Sequence, residues 1–282
     1  MRLPPIKCFQ KFFQVFLPTI AGEAEKKAKY FTNLSKEEKT MQYVYAHRGA
    51  SGYAPENTLK AFDLAADMHA YGVELDVQRT RDGVLVVFHD ETVDRVTDGH
   101  GRIADMTLAE LRKLRVCKPF PEVTDQVIPT LEEVYTLLHD RGLYCNAELK
   151  NSVIFYENLE AEAMEMAAKT GMSDRLLYSS FNHYSMRRVK QLDCKARAGL
   201  LYGGVLLYEP WAYAVNMGVD ALHPHFAEPL RISDEITCAH RRGIEVNPWT
   251  VNTEEDLQTV IAAGADRIIT NYPDRALAIL NK

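Results

Sequence analysis

From Met41 onward the chain alternates between two periods. Short runs rich in β-branched and aromatic residues are separated by longer segments whose apolar residues recur at helical spacing. The runs read YVYAHRG, GVELDVQ, VLVVFHD, LYCNAELK, RLLYSSF, RAGLLYGG, VDALHPH, IEVNPWTVN and DRIITNYP. Helices are predicted to begin near Thr58, Thr107, Thr130, Phe155, His183, Glu209, Ser233, Thr253 and Pro273. Such alternation predicts βαβ units on a parallel sheet, because a parallel return needs a crossover long enough to hold a helix. No repeat or low-complexity linker interrupts the pattern, so residues 41–282 read as one domain of α/β barrel type.

Nine runs are one too many for a (β/α)8 barrel. The dipeptide Asp82-Gly83 accounts for the surplus. It fits a tight turn, and no helical segment separates the runs on either side of it. VLVVFHD is therefore predicted to return antiparallel, which brings Asp76 level with Phe88 or His89.

The carboxyl ends of barrel strands form the active face. Here they carry His47 and Arg48, Glu74 and Asp76, His89 and Asp90, Glu148 and Lys150, Ser180 and Phe181, His223 and His225, then Trp249 and Asn252. Side chains alternate across a strand, so Glu74 and Asp76 share a face, and so do Glu148 and Lys150. Leu75, Val77 and Leu149 then point outward to the helices. Glu74, Asp76 and Glu148 in one barrel mouth repel one another unless a cation sits among them. A set of carboxylate oxygens suits Mg²⁺ or Ca²⁺ better than zinc.

Composition narrows the setting. Five scattered cysteines without C-x-x-C spacing predict free thiols in a reducing, cytoplasmic compartment. The first 40 residues hold eight Lys/Arg against four Asp/Glu, and the remainder is acidic, so the body of the protein is a poor nucleic-acid binder. Any anion it handles must be met by a local site. Within residues 1–40, CFQKFFQVFLPTIAGEA is apolar but interrupted by Gln10, Lys11, Gln14 and Pro18. It is too short and polar for a transmembrane segment. This N-terminal extension is expected to be an arm or amphipathic helix capable of weak membrane-surface contact, with a signal peptide as the competing reading. Met41 is an alternative start.

The blocks HRGASGYAPENT at 47–58, ELDVQRTRDGVLVVFHD at 74–90, ELK at 148–150, SSF at 179–181, WTVN at 249–252 and ITNYP at 269–273 together carry a resemblance. From Tyr45 to near the carboxyl terminus the chain resembles the glycerophosphodiester phosphodiesterase family. The resemblance implies a TIM barrel of the phospholipase-C-like phosphodiesterase type, with a short insertion after the second strand. It implies metal-dependent hydrolysis of glycerophosphodiesters to glycerol 3-phosphate and an alcohol. His47 and His89 match the family's acid/base pair, Glu74, Asp76 and Glu148 its metal ligands, and Arg48 and Lys150 its phosphate-holding groups. Phe181 and Trp249 are candidates for the wall of the glycerol pocket, and Glu56 for a contact with the metal or Arg48. Asn57 or Thr58 is expected to cap the following helix. The nucleophile is either water or the substrate's own glycerol 2-hydroxyl. Lysophospholipase D or phospholipase-type activity on lipid phosphodiesters is the alternative, and the aromatic N-terminal segment is what favours it.

Overall fold

The computed structural model describes residues 41–204, 207–228 and 235–281. The N-terminal extension, Cys8 within it and the helix start expected near Ser233 lie outside the described residues. The chain opens with β1 (Tyr43–His47), α1 (Leu59–Asp67), β2 (Gly72–Arg79) and β3 (Leu85–Val87). Then come α2 (Leu108–Leu111), α3 (Leu131–Arg141), β4 (Tyr144–Leu149) and α4 (Leu159–Lys169). Next are β5 (Leu176–Ser180), α5 (His183–Leu192), β6 (Arg197–Tyr202) and α6 (Pro210–Met217). The last are β7 (Ala221–Pro224), α7 (Glu235–His240), β8 (Glu245–Val246), α8 (Glu254–Ala262), β9 (Arg267–Thr270) and α9 (Pro273–Leu280).

Eight of the strands run parallel in the order β8-β7-β6-β5-β4-β2-β1-β9, and β3 hangs antiparallel on β2. The Asp82-Gly83 hairpin forms as predicted: Val77 faces Val87, and the Phe88 N–H donates to the Asp76 carbonyl at 2.9 Å. Individual backbone bonds bridge the seam between the β8 segment and β9. Asp266 donates to Val246 at 2.9 Å and Val251 to Ile269 at 2.9 Å. The barrel is thus nearly closed.

Two elements differ from the sequence reading. IEVNPWTVN was expected to be a full strand, yet only Glu245–Val246 is one. Pro248 has no N–H for a ladder, and beyond it the backbone pairing of Trp249 with β7's extension is an isolated bridge to His225. α4 begins at Leu159 rather than near Phe155. The loop before it is held by Asn151, whose Oδ1 accepts from the Tyr156 N–H at 2.6 Å. Elsewhere threonine sets the helix starts: Thr58, Thr107, Thr130 and Thr253 each accept a hydrogen bond from the first turn.

Strand alternation sorts the core. Leu75, Val77, Ala147, Leu149, Leu200, Leu222 and Val246 point out and pack under the helices. The inward-facing set is Glu74, Asp76, Asn146, Glu148, Ser179, His223 and Asn247, all buried. Barrel interiors are usually filled with branched apolar side chains, so this polar lining stands out. The backbone of Gly199 leaves room for the His223 ring. A Cβ there would lie 2.4 Å from its Nε2. Asn247 Nδ2 donates to that nitrogen at 3.1 Å. A second, smaller cluster of Val86, Phe88, Val93, Val96, Ile103, Leu111, Val116 and Ile128 lies in and beside the segment between β3 and α3.

Burial, aided by Arg267 and Arg197, lowers the His223 pKa from 6.5 to about 3. The native protein therefore refuses a proton that the unfolded chain accepts below pH 6.5. Stability contributed by the neutral ring is complete above that pH and falls as pH drops toward 3. At pH 5 the loss from this group is about 2 kcal/mol. Urea unfolding at pH 7.5 and pH 5.0 should show a smaller pH-dependent loss in His223→Gln than in the unsubstituted chain. Equal losses would contradict the assignment.

Candidate active site

The HRG turn builds the first part of the site. β1 delivers His47 inward, and Arg48 then takes a left-handed backbone, φ 55°. That turn aims the Arg48 N–H at Glu74 Oε2, 3.0 Å away. Gly49 follows with φ 79°, packed so closely on Ala61 that a Cβ would lie 2.6 Å from its carbonyl carbon. Only glycine fits there.

Glu74 and Asp76 come from β2 and Glu148 from β4, with Asp76 directly beside Glu148 in the ladder. All three are buried, and their oxygens lie within 4.8 Å of one another. Two cations approach from the rim. Lys150 Nζ lies 3.0 Å from Glu148 Oε1 and 3.7 Å from Asp76 Oδ1. Arg48 Nε lies 3.5 Å from Asp76 Oδ2, and its Nη1 donates to Glu56 Oε1 at 2.9 Å.

The electrostatics divide the three acids. Burial pushes Glu74 well above its ordinary value, and the charges of Asp76 and Glu148 push it further. Burial and Asp76 raise Glu148 too, against the pull of Lys150. For Asp76 burial is outweighed by Arg48, His89, Lys150 and the Asn57 amide, so it is held low. Asp76 Oδ1 is buried and accepts no hydrogen bond among the described residues. An all-oxygen cluster with a carboxylate oxygen that accepts no hydrogen bond fits a hard divalent cation.

The two histidines have different supports. His47 Nδ1 pairs with Asn271 Oδ1 at 2.7 Å, and its Nε2 faces Glu74 Oε2 at 3.8 Å. Burial first, and Arg48 second, lower its pKa to about 3. His89 follows the β3 return and lies close enough to Asp76 and Glu148 to act on both charges. Its Nδ1 pairs with the Asp90 carboxylate at 2.5 Å.

Some candidates sit apart from this cluster. Phe181 and Trp249 pack edge to face at 5.6 Å, and Trp249 meets His225 likewise at 5.7 Å. His223 belongs to the interior lining. Asn252 Oδ1 accepts from the Asn271 N–H at 2.9 Å and so braces the residue that holds His47. Thr58 is the helix cap, whereas Asn57 is a site residue: its Nδ2 donates to Asp76 Oδ2 at 2.8 Å. Sequence reasoning gave no role to Asn271 or Arg95 and left Asn57 as a cap. Asn57 and Asn271 lie inside the recognised blocks, which was the available signal.

A sequence profile of the glycerophosphoryl diester phosphodiesterase family matches residues 47–275. The chain belongs to that family. The glycerophosphodiester phosphodiesterase of Caldanaerobacter subterraneus subsp. tengcongensis is 41% identical over 240 residues, covering 85% of this chain and 98% of that protein. The glycerophosphodiester phosphodiesterase of Bacillus altitudinis is 36% identical over 85% of this chain and 98% of that protein. Among solved structures, an Oleispira antarctica phosphodiesterase in complex with the product sn-glycerol-3-phosphate superposes with a TM-score of 0.78. It is 30% identical, and the match covers 86% of this chain and 98% of that one. The expected TIM barrel and an enzyme of the phosphodiesterase class are both borne out. No helix among the described residues is long and apolar enough to cross a membrane.

Burial beside two acids makes Glu74 hold a proton more tightly than a free carboxyl. In metal-free protein the native state holds this proton while the unfolded chain releases it, so Glu74 costs stability as pH rises above 4.5. Glu74→Gln should therefore raise the thermal midpoint of chelated protein at pH 8. It should also remove most of the midpoint gain on adding Mg²⁺ or Ca²⁺. A lower midpoint in chelator would show that the buried charge is not net destabilising.

Proposed function

We propose that this chain hydrolyses glycerophosphodiesters to glycerol 3-phosphate and an alcohol, with a hard divalent cation held by Glu74, Asp76 and Glu148. One observation carries the reading: a buried three-carboxylate cluster is flanked by two cations and two differently supported imidazoles. The product found in the Oleispira antarctica phosphodiesterase supports the substrate class. Mg²⁺ and Ca²⁺ both suit the donor set. When bound, the cation supplies Lewis-acid stabilisation of charge on the phosphoryl oxygens.

The chain's own residues divide the remaining work. Arg48 and Lys150 hold the non-bridging oxygens and neutralise the charge that develops there. Asn271 Oδ1 fixes the His47 proton on Nδ1, which leaves Nε2 as a free lone pair in a ring that burial keeps neutral. His47 is thus the general base, taking a proton at Nε2 from water or from the glycerol 2-hydroxyl. Asp90 stabilises the imidazolium of His89 through Nδ1, so His89 is the general acid and gives its Nε2 proton to the departing alkoxide. Phe181 and Trp249 wall the glycerol side. The catalytic domain in this reading is residues 41–282, with 1–40 an appended extension. The free thiols of Cys117, Cys145, Cys194 and Cys238 support a reducing, cytoplasmic setting.

A second reading, hydrolysis of lysolipids, is favoured by exposed apolar side chains that follow the carboxyl ends of successive strands. Phe155 is 74% exposed and Tyr208 90%; Val153 and Phe181 on loops, and Tyr184 in the first turn of α5, join them. Such a rim suits an acyl chain or a lipid surface.

The deciding experiment assays purified protein against glycerophosphocholine, glycerophosphoethanolamine and lysophosphatidylcholine, with and without chelator, detecting the phosphomonoester released. Glycerol 3-phosphate from the first two, lost in chelator and restored by Mg²⁺ or Ca²⁺, is expected. Residues 41–282 alone should retain this turnover. Exclusive turnover of the lysolipid would replace the leading reading with the second.

His47→Ala and His89→Ala should each lower kcat by about two to four orders of magnitude. The double variant should fall little further, because groups acting on one phosphorus as a unit are strongly non-additive. Near-normal turnover in either single variant, with metal bound, would show the pair to be misassigned.

A further inference from the structure

Arg95 sits at the end of a single 3-10 turn, Val93–Arg95, in the segment between β3 and α3. Its neighbours Val93 and Val96 are buried in the smaller hydrophobic cluster, which fixes the backbone at this point. Its side chain leaves that cluster, about half exposed at 47%, and turns back to the barrel mouth. There the guanidinium meets two carboxylates in parallel. Nη1 donates to Glu56 Oε2 at 2.9 Å and Nη2 to Glu56 Oε1 at 2.7 Å. Nε donates to Asp90 Oδ2 at 2.6 Å and Nη2 to Asp90 Oδ1 at 3.0 Å.

Each of those carboxylates in turn holds one member of the site. Glu56 Oε1 accepts from Arg48, and Asp90 Oδ1 pairs with Nδ1 of His89. Arg48 arrives from β1, Glu56 from the turn before α1, and His89 with Asp90 from the hairpin return. These segments meet through one planar cation. Without it, Glu56 and Asp90 are two anions with no other shared hydrogen-bond donor among the described residues. A guanidinium is the side chain that can grip two carboxylates with two bonds each; a lysine ammonium is a point charge and cannot.

We infer that Arg95 is a positioning residue that holds the phosphate-binding Arg48 and the proton-donating His89 in register through Glu56 and Asp90. The inference rests on the roles given to Arg48 and His89 above. It separates catalysis from stability. A half-exposed ion pair contributes little to folding. Small misplacement of reacting groups, by contrast, costs up to two orders of magnitude in rate.

The test compares the unsubstituted chain with Arg95→Ala and Arg95→Lys in three measurements. The first is kcat and KM for glycerophosphocholine in saturating Mg²⁺. The second is the thermal midpoint. The third is the imidazole NMR signal of the His89 Nδ1 proton, identified by its loss in His89→Gln. The expected result is a fall in kcat of about 10–100-fold in both variants, with a nearly unchanged thermal midpoint. Added guanidinium ion should restore part of the Arg95→Ala rate. The His89 Nδ1 proton signal should move or broaden. A kcat within about twofold of normal in Arg95→Ala, or an unchanged His89 signal, would overturn the inference. If the unsubstituted chain itself turns over no glycerophosphodiester, the substrate reading fails, and the NMR comparison still decides the role of Arg95.

Discussion

Everything around the barrel mouth answers one constraint: three buried carboxylates within 4.8 Å of one another must be balanced by positive charge. Such a cluster is expensive in a low-dielectric interior. The fold meets the cost with strongly paired parallel strands and a continuous apolar layer under the helices. Strand alternation does the sorting. Leu75, between Glu74 and Asp76, and Ala147, next to Glu148, belong to that apolar layer. Arg48 and Lys150 supply part of the compensation, and the remainder defines a place for a cation. Even the strained φ of Arg48 follows from this demand, since it turns the backbone N–H as well as the side chain toward the acids.

The same arrangement sets the two histidines apart. One is clasped by a neutral amide in a dry pocket, the other by a carboxylate at the rim. The amide fixes the tautomer of His47, while burial and the Arg48 charge keep that ring neutral. One residue type is thus set in two different surroundings. Two successive links, Asn252 to Asn271 and Arg95 to Asp90, show that these contacts are themselves held.

What the sequence disclosed was local or periodic. The Asp82-Gly83 turn, the threonine caps and the outward Leu75, Val77 and Leu149 all follow from short-range rules. The three acids were legible because strand alternation places them on one face. Asn271 was not, because its partner His47 is 224 positions away and an asparagine after a strand looks like any turn residue. Asn57 resembled a cap because it precedes the true cap by one position. Arg95 had no signal at all, since its meaning arises only where three separate segments meet. The polar lining at Ser179 and Asn247 was equally hidden, because strands buried on both faces do not announce which side is inward unless clustered acids mark it. The β8 run failed as a strand for a reason that Pro248 already announced.

The small cluster between β3 and α3 is separate from the main core, yet Phe88 belongs to it and the chain runs straight on into His89 and Asp90. Protein regions differ in how readily they open, and those with few buried apolar contacts open first. His89 and Asp90 lean on this smaller cluster, while Glu74, Asp76 and Glu148 stand on strands of the barrel. The two histidines of the mouth therefore depend on different apolar packing: His47 follows Ala46 of the main core, and His89 follows Phe88 of the smaller cluster.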